Sequence, residues 1–536
     1  MIYYQIYAIK NSKKYMETMT ASSVFLSIVS ILVVTLLIKV LNWVWLRPKK
    51  LERLLRQQGF SGTSYKFLFG DLQNFVAKHN EALKTPMDSF SDDYFPRVEP
   101  FRHQLASKFG KDFFLWFGPV PIIQISKPQL IREALTKTQD IRKLKVNPII
   151  GKLFPGVIGH EGEKWAKHRK LINPAFHLER LKLMLPVFRD SCEEILSKWE
   201  MLVAERGSGE LDVFPDLMQL SADVISRAAF GSSYEEGQKI FELLKEQTDL
   251  GLLMQQSVYF PGKRFIPTTE NRRFKMIEDH IQSSLREIIN KRKEEIDAGK
   301  AVKADLLGIL MDSNSKEVQT VGSNKKRRVG MTLAEVADEC KLFYLAGQET
   351  TSILIVWTLI MLSKHQDWQK RAREEVLQTH GSNVPDFEGL NHLKTMTMIL
   401  YEVLRLYPPV MQLFRRIHKD TNLGSLSIPS GVELTFFLST IHRDKEIWGD
   451  DAEEFKPDRF AEGISKATKG NNSFFPFGWG PRICVGGKFA ITEAKMALCM
   501  ILQRFSFELS PSYIHAPRTR IFLGPQHGAC IILNKL

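Results

Sequence analysis

The stretch from residue 333 to 364 contains no proline and opens on Thr332-Leu333-Ala334-Glu335. This is a capping box, in which a threonine hydroxyl and a glutamate three residues later satisfy free backbone N–H groups reciprocally. At 1.5 Å per residue, one helix over this stretch is about 48 Å long, so the fold has to be built around an element that crosses it from side to side. The rest of the chain is read against that axis. Helical periodicity dominates: residues 186–244 read as amphipathic helices, and further helices are expected at 368–379, at 393–406 where Pro408-Pro409 stops the pattern, and at 487–505. Short β-patterns occur at 113–125 and after Arg415. The expected fold class is mostly α with a minor β part.

A chain of 536 residues suggests three or four domains at roughly 150 residues each. Beyond the N-terminal region, however, there is no Gly/Ser-rich or Pro-rich linker, low-complexity tract or fixed repeat, which favours a single large domain. With 44% hydrophobic and 25% charged residues, the composition excludes a disordered chain, a collagen-like repeat and a polytopic transporter. The five cysteines, Cys192, Cys340, Cys484, Cys499 and Cys530, are odd in number and too widely spaced for a disulfide framework or a zinc site of paired cysteines, so the folded part belongs in a reducing compartment. The net charge of +14 is spread thinly along the chain and gives no ground for nucleic-acid binding. Its densest run, Lys325-Lys326-Arg327-Arg328, sits among Ser, Asn and Gly and reads as a solvated loop. A positive balance also suits an anionic membrane surface or an acidic partner.

Residues 21–38 carry no charge and are rich in Val, Leu and Ile, which reaches the minimum length of a membrane-spanning helix. Lys39 can extend its ammonium to the interface, and Trp43 and Trp45 suit the headgroup belt. No small-x-small cleavage site follows. Instead come Arg47-Pro48-Lys49-Lys50, Arg53 and Arg56, so an uncleaved anchor is expected with its C-terminal side, richer in Lys and Arg, in the cytosol. Met16 is an alternative initiator. The expected division is a short lumenal N-terminus (1–20), a transmembrane anchor (21–46), a basic linker (47–65) and one catalytic domain (66–536).

The segment Phe474-Phe475-Pro476-Phe477-Gly478-Trp479-Gly480-Pro481-Arg482-Ile483-Cys484-Val485-Gly486 concentrates the chemistry. Its glycines allow a tight loop with close approach to a flat ligand, and Arg482 offers a cation. Cys484 immediately precedes a helix start, where free N–H groups and the dipole lower a thiol pKa and favour an iron-ligating thiolate. The other four cysteines read as small buried apolar residues. A second segment, Ala346-Gly347-Gln348-Glu349-Thr350-Thr351, lies in the middle of the long helix. There Gly347 and Thr350 are costly to helix propensity, and a threonine hydroxyl can capture the carbonyl four residues back, so a local opening of the helix is expected.

Together these residues resemble the cytochrome P-450 superfamily of haem-thiolate monooxygenases, whose signature Phe-x-x-Gly-x-Arg-x-Cys-x-Gly is met at Phe477, Gly480, Arg482, Cys484 and Gly486. The resemblance implies a large haem domain behind one N-terminal transmembrane helix. It makes Cys484 the axial ligand of haem iron and pairs Arg482 with a haem propionate, with Phe477, Gly478 and Gly486 around the cofactor. Glu349 and Thr350 resemble the acid and alcohol that deliver protons for dioxygen activation. Trp165 and Arg169, four apart on one helical face, resemble an element that reaches a propionate, as does Arg415. Lys164, Lys167 and Lys170 would then surround the proximal surface. Glu402 and Arg405, three apart on one helical face, with Arg459 of Pro457-Asp458-Arg459-Phe460, resemble the family's structural triad, with a role in the fold rather than in chemistry.

Phe67-Leu68-Phe69-Gly70-Asp71, Asn173-Pro174-Ala175-Phe176 and the segment 261–268 look like the plant clan that contains secologanin synthase, triterpenoid oxidases, and brassinosteroid- and gibberellin-inactivating hydroxylases. The expected cofactor is haem b. No nucleotide-binding glycine motif is visible, so NADPH acts through a separate NADPH-cytochrome reductase. The expected partners are that reductase, the membrane and a hydrophobic small molecule, and the expected location is the endoplasmic reticulum membrane. The function expected is oxidation of a terpenoid, whether triterpenoid, iridoid or diterpenoid hormone. A fatty-acid or steroid-hormone hydroxylase is the alternative, ahead of a reductase-independent haem-thiolate isomerase or a non-catalytic haem sensor. The pocket is expected to draw on residues 144–158 and 250–265.

Overall fold

In the computed structural model the described residues are 2–87, 90–144, 147–232, 234–260, 262–299, 305–319 and 330–536. Lys325-Lys326-Arg327-Arg328 lies outside them, as do Pro261 and residues 145 and 146 of the segments above. Numbering the principal helices in chain order, α1 is Ile2–Leu41, α2 Arg47–Gln57, α3 Gly162–Ile172, α4 Leu178–Val203, α5 Val213–Ile225, α6 Tyr234–Gln255, α7 Thr269–Asp297, α8 Leu333–Lys364, α9 Gln366–His380, α10 Lys394–Leu406 and α11 Gly487–Arg504.

The long helix α8 has the bounds read from its capping box, with the Thr332 hydroxyl and the Glu335 carboxylate each accepting the other's backbone N–H. It is buried over most of its length, and α5, α7, α10 and α11 pack around it. Gly347 is explained by that packing: a Cβ there would meet Ile225 Cγ1 of α5 at 2.7 Å. The opening expected at Thr350 is absent. Thr350 Oγ1 donates to the Ala346 carbonyl at 2.7 Å, yet residues 333–364 are α-helical throughout, because a carbonyl has two lone pairs and can accept the hydroxyl without surrendering the helix bond.

The minor β part is a five-stranded sheet of β1 (Phe113–Phe117), β2 (Val120–Gln124), β3 (Ile141–Arg142), β4 (Gln412–Ile417) and β5 (Glu433–Phe437) in the order β1-β2-β5-β4-β3. Only β2 and β5 run parallel; the other pairs are antiparallel, with Phe113 opposite Gln124 and Arg415 opposite Leu434. A three-stranded sheet joins Ser208–Asp212, Cys530–Lys535 and Phe505–Leu509.

One continuous apolar core, including the fully buried Trp116, Trp199, Trp357, Tyr344 and Tyr407, fills the space around α8. Ile149, Ile150, Leu153 and Phe274 form a separate small cluster, flanked by Leu250, Met254 and Tyr259. At the N-terminus, Ser22–Gln57 is long and apolar enough to cross a membrane, with a mean hydropathy of 2.8 in a window of which none is buried. Helix α8 passes the same test but is largely buried, which marks it as a core helix. Residues 47–65, expected as a basic linker, carry regular structure and buried side chains. The first part is α2, whose Leu51 and Leu55 share one helical face and join the main core together with Phe60 and Tyr65 of the chain that follows. The Tyr65 hydroxyl donates to the Val44 carbonyl at 2.5 Å, fastening the end of the apolar helix to the domain.

Candidate active site

Residues 476–486 fold as a loop ahead of α11, with Gly486 at its N-cap. Gly478 (φ 76°) and Gly480 (φ 71°) adopt left-handed conformations that favour glycine. A Cβ on Gly480 would also lie 3.1 Å from the Leu135 carbonyl. The turn is closed by the Cys484 N–H donating to the Phe477 carbonyl at 2.9 Å. Gly486 has an ordinary φ and tolerates a Cβ at 3.7 Å from Phe176, so its role is not conformational.

Along α8, residues 346–350 are half-buried between fully buried turns, and on the loop Phe477 to Gly480 and Arg482 are half-buried while Cys484 is accessible. Phe176 links the two elements, with ring centroids 5.6 Å from Phe343 of α8 and 6.2 Å from Phe489 of α11. Although Cys484 stays accessible, desolvation by the protein packed around it raises its thiol above the ordinary value, against the lowering effects of the Gly486 N–H and the Arg169 guanidinium. The lowering expected at a helix start is thus present but outweighed. A coordinated metal cation reverses this balance, since a ligating thiol is deprotonated outright.

Positive charge gathers on one side. Arg482 donates to the His160 carbonyl at 2.9 Å, pairs with Glu161 at 2.8 Å and stacks 4.6 Å from the Trp165 ring. Burial, then Arg415 and Arg482, bring the Lys143 ammonium down to about 7 despite Glu161. Burial and Arg482 bring Arg415 down to about 10. Arg169, one turn beyond Trp165 on α3, is half-buried with Cys484 as its charge neighbour. Lys143, Arg169, Arg415 and Arg482 against Glu161 leave an uncompensated positive surface, which fits a flat cofactor carrying two carboxylates beside a thiolate. Sequence reasoning missed Lys143 and Glu161. Neither stands in a recognisable spacing, and only the β3 to β4 pairing brings the Lys143 region to Arg415.

On α8, burial raises the Glu349 carboxyl to about 7 despite the lowering effect of Lys245 on α6, so it can hold or release a proton near neutrality. The Thr350 hydroxyl is the next side chain along. Away from the cleft, Glu402 makes a bidentate pair with Arg405, both contacts 2.7 Å, and accepts from Arg459 Nε at 3.3 Å and from the Lys456 N–H at 2.8 Å. Arg405 also donates to the carbonyls of His442, Ala452 and Glu454, and Arg459 to those of Trp448 and Asp451. Of the three surface lysines, Lys164 pairs with Glu335 at 2.9 Å and Lys167 donates to the Gly330 carbonyl at 2.7 Å. Cys192, Cys340 and Cys499 are buried and Cys530 partly so.

Residues 97–527 match the family model described as Cytochrome P450. The chain is 53% identical over 512 residues to echinocystic acid 23-monooxygenase of Saponaria officinalis, covering 95% of this chain and 98% of that protein. It is 55% identical over 498 residues to cytochrome P450 72A397 of Kalopanax septemlobus, covering 93% and 95%. The solved structure of retinoic acid bound cyanobacterial CYP120A1 superposes with a TM-score of 0.72 at 23% identity, over 89% of this chain and 99% of that one, and shares the fold. Haem b is the family's cofactor, with electrons from NADPH supplied through a redox partner, and the substrates are hydrophobic. The chain belongs to the cytochrome P450 family and is a monooxygenase.

Proposed function

We propose that Cys484 would ligate haem iron, that Arg482, Arg169, Arg415 and Trp165 would hold its propionates with Lys143 beside them, and that Phe477, Gly478 and Gly486 would lie around the cofactor. The observation that carries this reading is the accessible Cys484 with Arg169 as its charge neighbour, beside Lys143, Arg415 and Arg482 gathered around the single carboxylate of Glu161. Bound haem supplies the activation of dioxygen. The net reaction converts a substrate C–H to C–OH and the second oxygen atom to water, consuming two electrons and two protons. Glu349 and the Thr350 Oγ1 pass those protons into the cleft, while Glu402, Arg405 and Arg459 keep the polypeptide beneath the loop in place. A Cys484→Ser variant loses the thiolate-type spectrum of the reduced CO complex; a variant that kept it would transfer the ligand role to another cysteine. Thr350→Ala keeps haem and substrate binding but releases peroxide in place of product at the same NADPH consumption. Equal product per NADPH in variant and parent would remove the hydroxyl from proton transfer.

The substrate is a terpenoid, most specifically a triterpenoid, a reading supported by the name and 53% identity of echinocystic acid 23-monooxygenase. The partner is a separate NADPH-cytochrome reductase, and nucleic acid has no part. Residues 21–46 span the endoplasmic reticulum membrane, 1–20 are lumenal, and 66–536 face the cytosol with α2 packed against them. Microsomes holding the full chain and a plant reductase, supplied with echinocystic acid and a terpenoid panel, form NADPH-dependent hydroxylated product. Turnover confined to fatty acids or steroid hormones would displace the terpenoid reading. Protease added to sealed microsomes digests the domain, whereas protection would reverse the orientation.

A further inference from the structure

The small apolar cluster of Ile149, Ile150, Leu153 and Phe274 stands apart from the main core. It unites the turn at 149–154, the end of α6 and the start of α7. Leu153 approaches the α6 backbone so closely that a Cβ on Gly251 would meet its Cδ1 at 2.5 Å. These are the segments from which the sequence reading draws the substrate pocket, so the unit forms a roof with its own core. A cavity of about 290 Å³ lined by Lys152, Phe154, Gly156, His160, Glu278 and Asp338 separates part of this roof from the start of α8. Farther along, α6 and α7 pack on α8 through the main core, with the Phe241 and Tyr344 rings 5.0 Å apart and Ile277 and Ile281 buried, but at the cavity close packing does not join them.

A buried polar junction does. The Lys341 ammonium on α8 is fully buried and donates to the Lys152 carbonyl of the turn at 2.8 Å and to Glu278 Oε2 of α7 at 2.5 Å. Glu278 Oε2 also accepts from Gln247 of α6 at 2.7 Å, and Gln282 bridges Glu278 Oε1 at 3.2 Å to Asp338 at 3.0 Å. Burial works to raise the Glu278 carboxyl, but the Lys341 charge and the Lys341 and Gln247 hydrogen bonds hold it below its ordinary value, as a charged pair requires. Gln348 lies seven residues beyond Lys341, on the same face of α8 by helical period, with Glu349 beside it. The one ammonium thus meets all three pieces of roof, directly or through Glu278, from the helix that carries the proton-delivering residues.

We propose that Lys341 is a positioning residue for the substrate pocket: through Glu278 and the Lys152 carbonyl it ties the roof to the central helix and sets how readily a large ligand passes beneath it. The proposal rests on the reading of the cleft beside Glu349 and Thr350 as the substrate site. Cutting either charge alone strands the other in the interior, so single variants lose stability for a trivial reason. Replacing both removes the tie without stranding a charge.

The test uses the full chain, solubilised from microsomes with its haem, as parent, Lys341→Met, Glu278→Met and the double variant. Binding of two iron-directed probes, imidazole and the bulky apolar clotrimazole, is followed by stopped-flow Soret shifts. The expected result is that the double variant recovers most of the thermal stability lost by either single variant. It keeps the parent's thiolate CO band and imidazole binding, yet associates with and releases clotrimazole about tenfold faster, as a gate of lowered closure would allow. Parent-like clotrimazole kinetics in the stability-recovered double variant would overturn the proposal, as would equal changes for both probes. Failure of the underlying site reading shows elsewhere, as a parent whose Cys484→Ser variant retains the thiolate band.

Discussion

Two regions packed against the long helix are held by different physics. At the end of α10, Glu402, Arg405 and Arg459 are almost fully buried, and the arginines' hydrogen bonds converge on five backbone carbonyls from residues 442–454. All of this is embedded in the main core. The turn at 149–154 with the facing ends of α6 and α7 has a small core of its own, and the buried Lys341 ammonium ties it to α8 beside the main-core packing of Phe241, Ile277 and Ile281. A charged group with every hydrogen-bonding site occupied permits one arrangement, whereas a small apolar cluster beside a cavity permits several. The first region is therefore rigidly framed, and the second is adjustable.

The largest effect that would break this contrast comes from Glu402→Ala. It leaves the Arg405 and Arg459 guanidinium groups buried together without their carboxylate, at a cost of about 3–5 kcal/mol. Little holoprotein should remain, measured as the CO-difference band at equal polypeptide level in microsomes. A normal band with normal thermal stability would show that the carbonyls alone suffice to hold the arginines.

What the sequence disclosed follows the same division. The Glu402–Arg405 spacing, the Cys484 loop and the bounds of α8 are local patterns, each set by interactions within a few residues, so they can be read from the chain directly. Arg459 was reached through a motif, and Arg415 through its place downstream of Arg405. Lys143, Glu161, Lys341 and Glu278 carry no local pattern at all. Lys341 sits in an apolar helix where a lone lysine gives no clue that it is buried, and its partners lie 63 and 189 positions away. Gly347 was read as a helix weakness when its cause is the approach of α5. The expected bend at Thr350 failed because the cost of one poor helix former is small beside the packing that surrounds α8.

A pair of glycines sharpens the comparison at a smaller scale. Gly347→Ala inserts a methyl against Ile225 in the main core, with three of its side-chain carbons within 3.1 Å of the new Cβ. Overpacking of this kind costs about 1–3 kcal/mol. Gly251→Ala meets chiefly the mobile end of Leu153, which can turn aside, so stability changes by no more than about 0.5–1 kcal/mol while clotrimazole affinity shifts. Thermal unfolding and ligand titration on both variants separate the two regions. Equal loss of stability would mean that the roof is as tightly packed as the core.

An exception within the rigid side shows only when the pH is varied. Glu493 on α11 is fully buried beside Cys192, and among the described residues no cation acts to lower its pKa. Neither oxygen makes a hydrogen bond of standard geometry among the described residues, and only the Ser221 hydroxyl works to lower its pKa. Burial raises this carboxyl from 4.5 to about 8, so the folded protein keeps a proton that the unfolded chain releases. Between those two values the native state binds more protons than the unfolded one. Stability then falls as pH rises, by up to about 1.4 kcal/mol per pH unit for one group, and below pH 4.5 the group contributes no slope. Glu493→Gln removes the titration while keeping the shape, so its stability should decline less steeply between pH 5 and 8 and exceed the parent's most at the alkaline end. Glu99, Glu349 and Glu433, each raised to about 7, titrate in both proteins and cancel in the difference. The measurement is the unfolding temperature of the two holoproteins across that range. Parallel curves would mean that Glu493 is ionised in the folded state, with a partner the buried surroundings do not reveal.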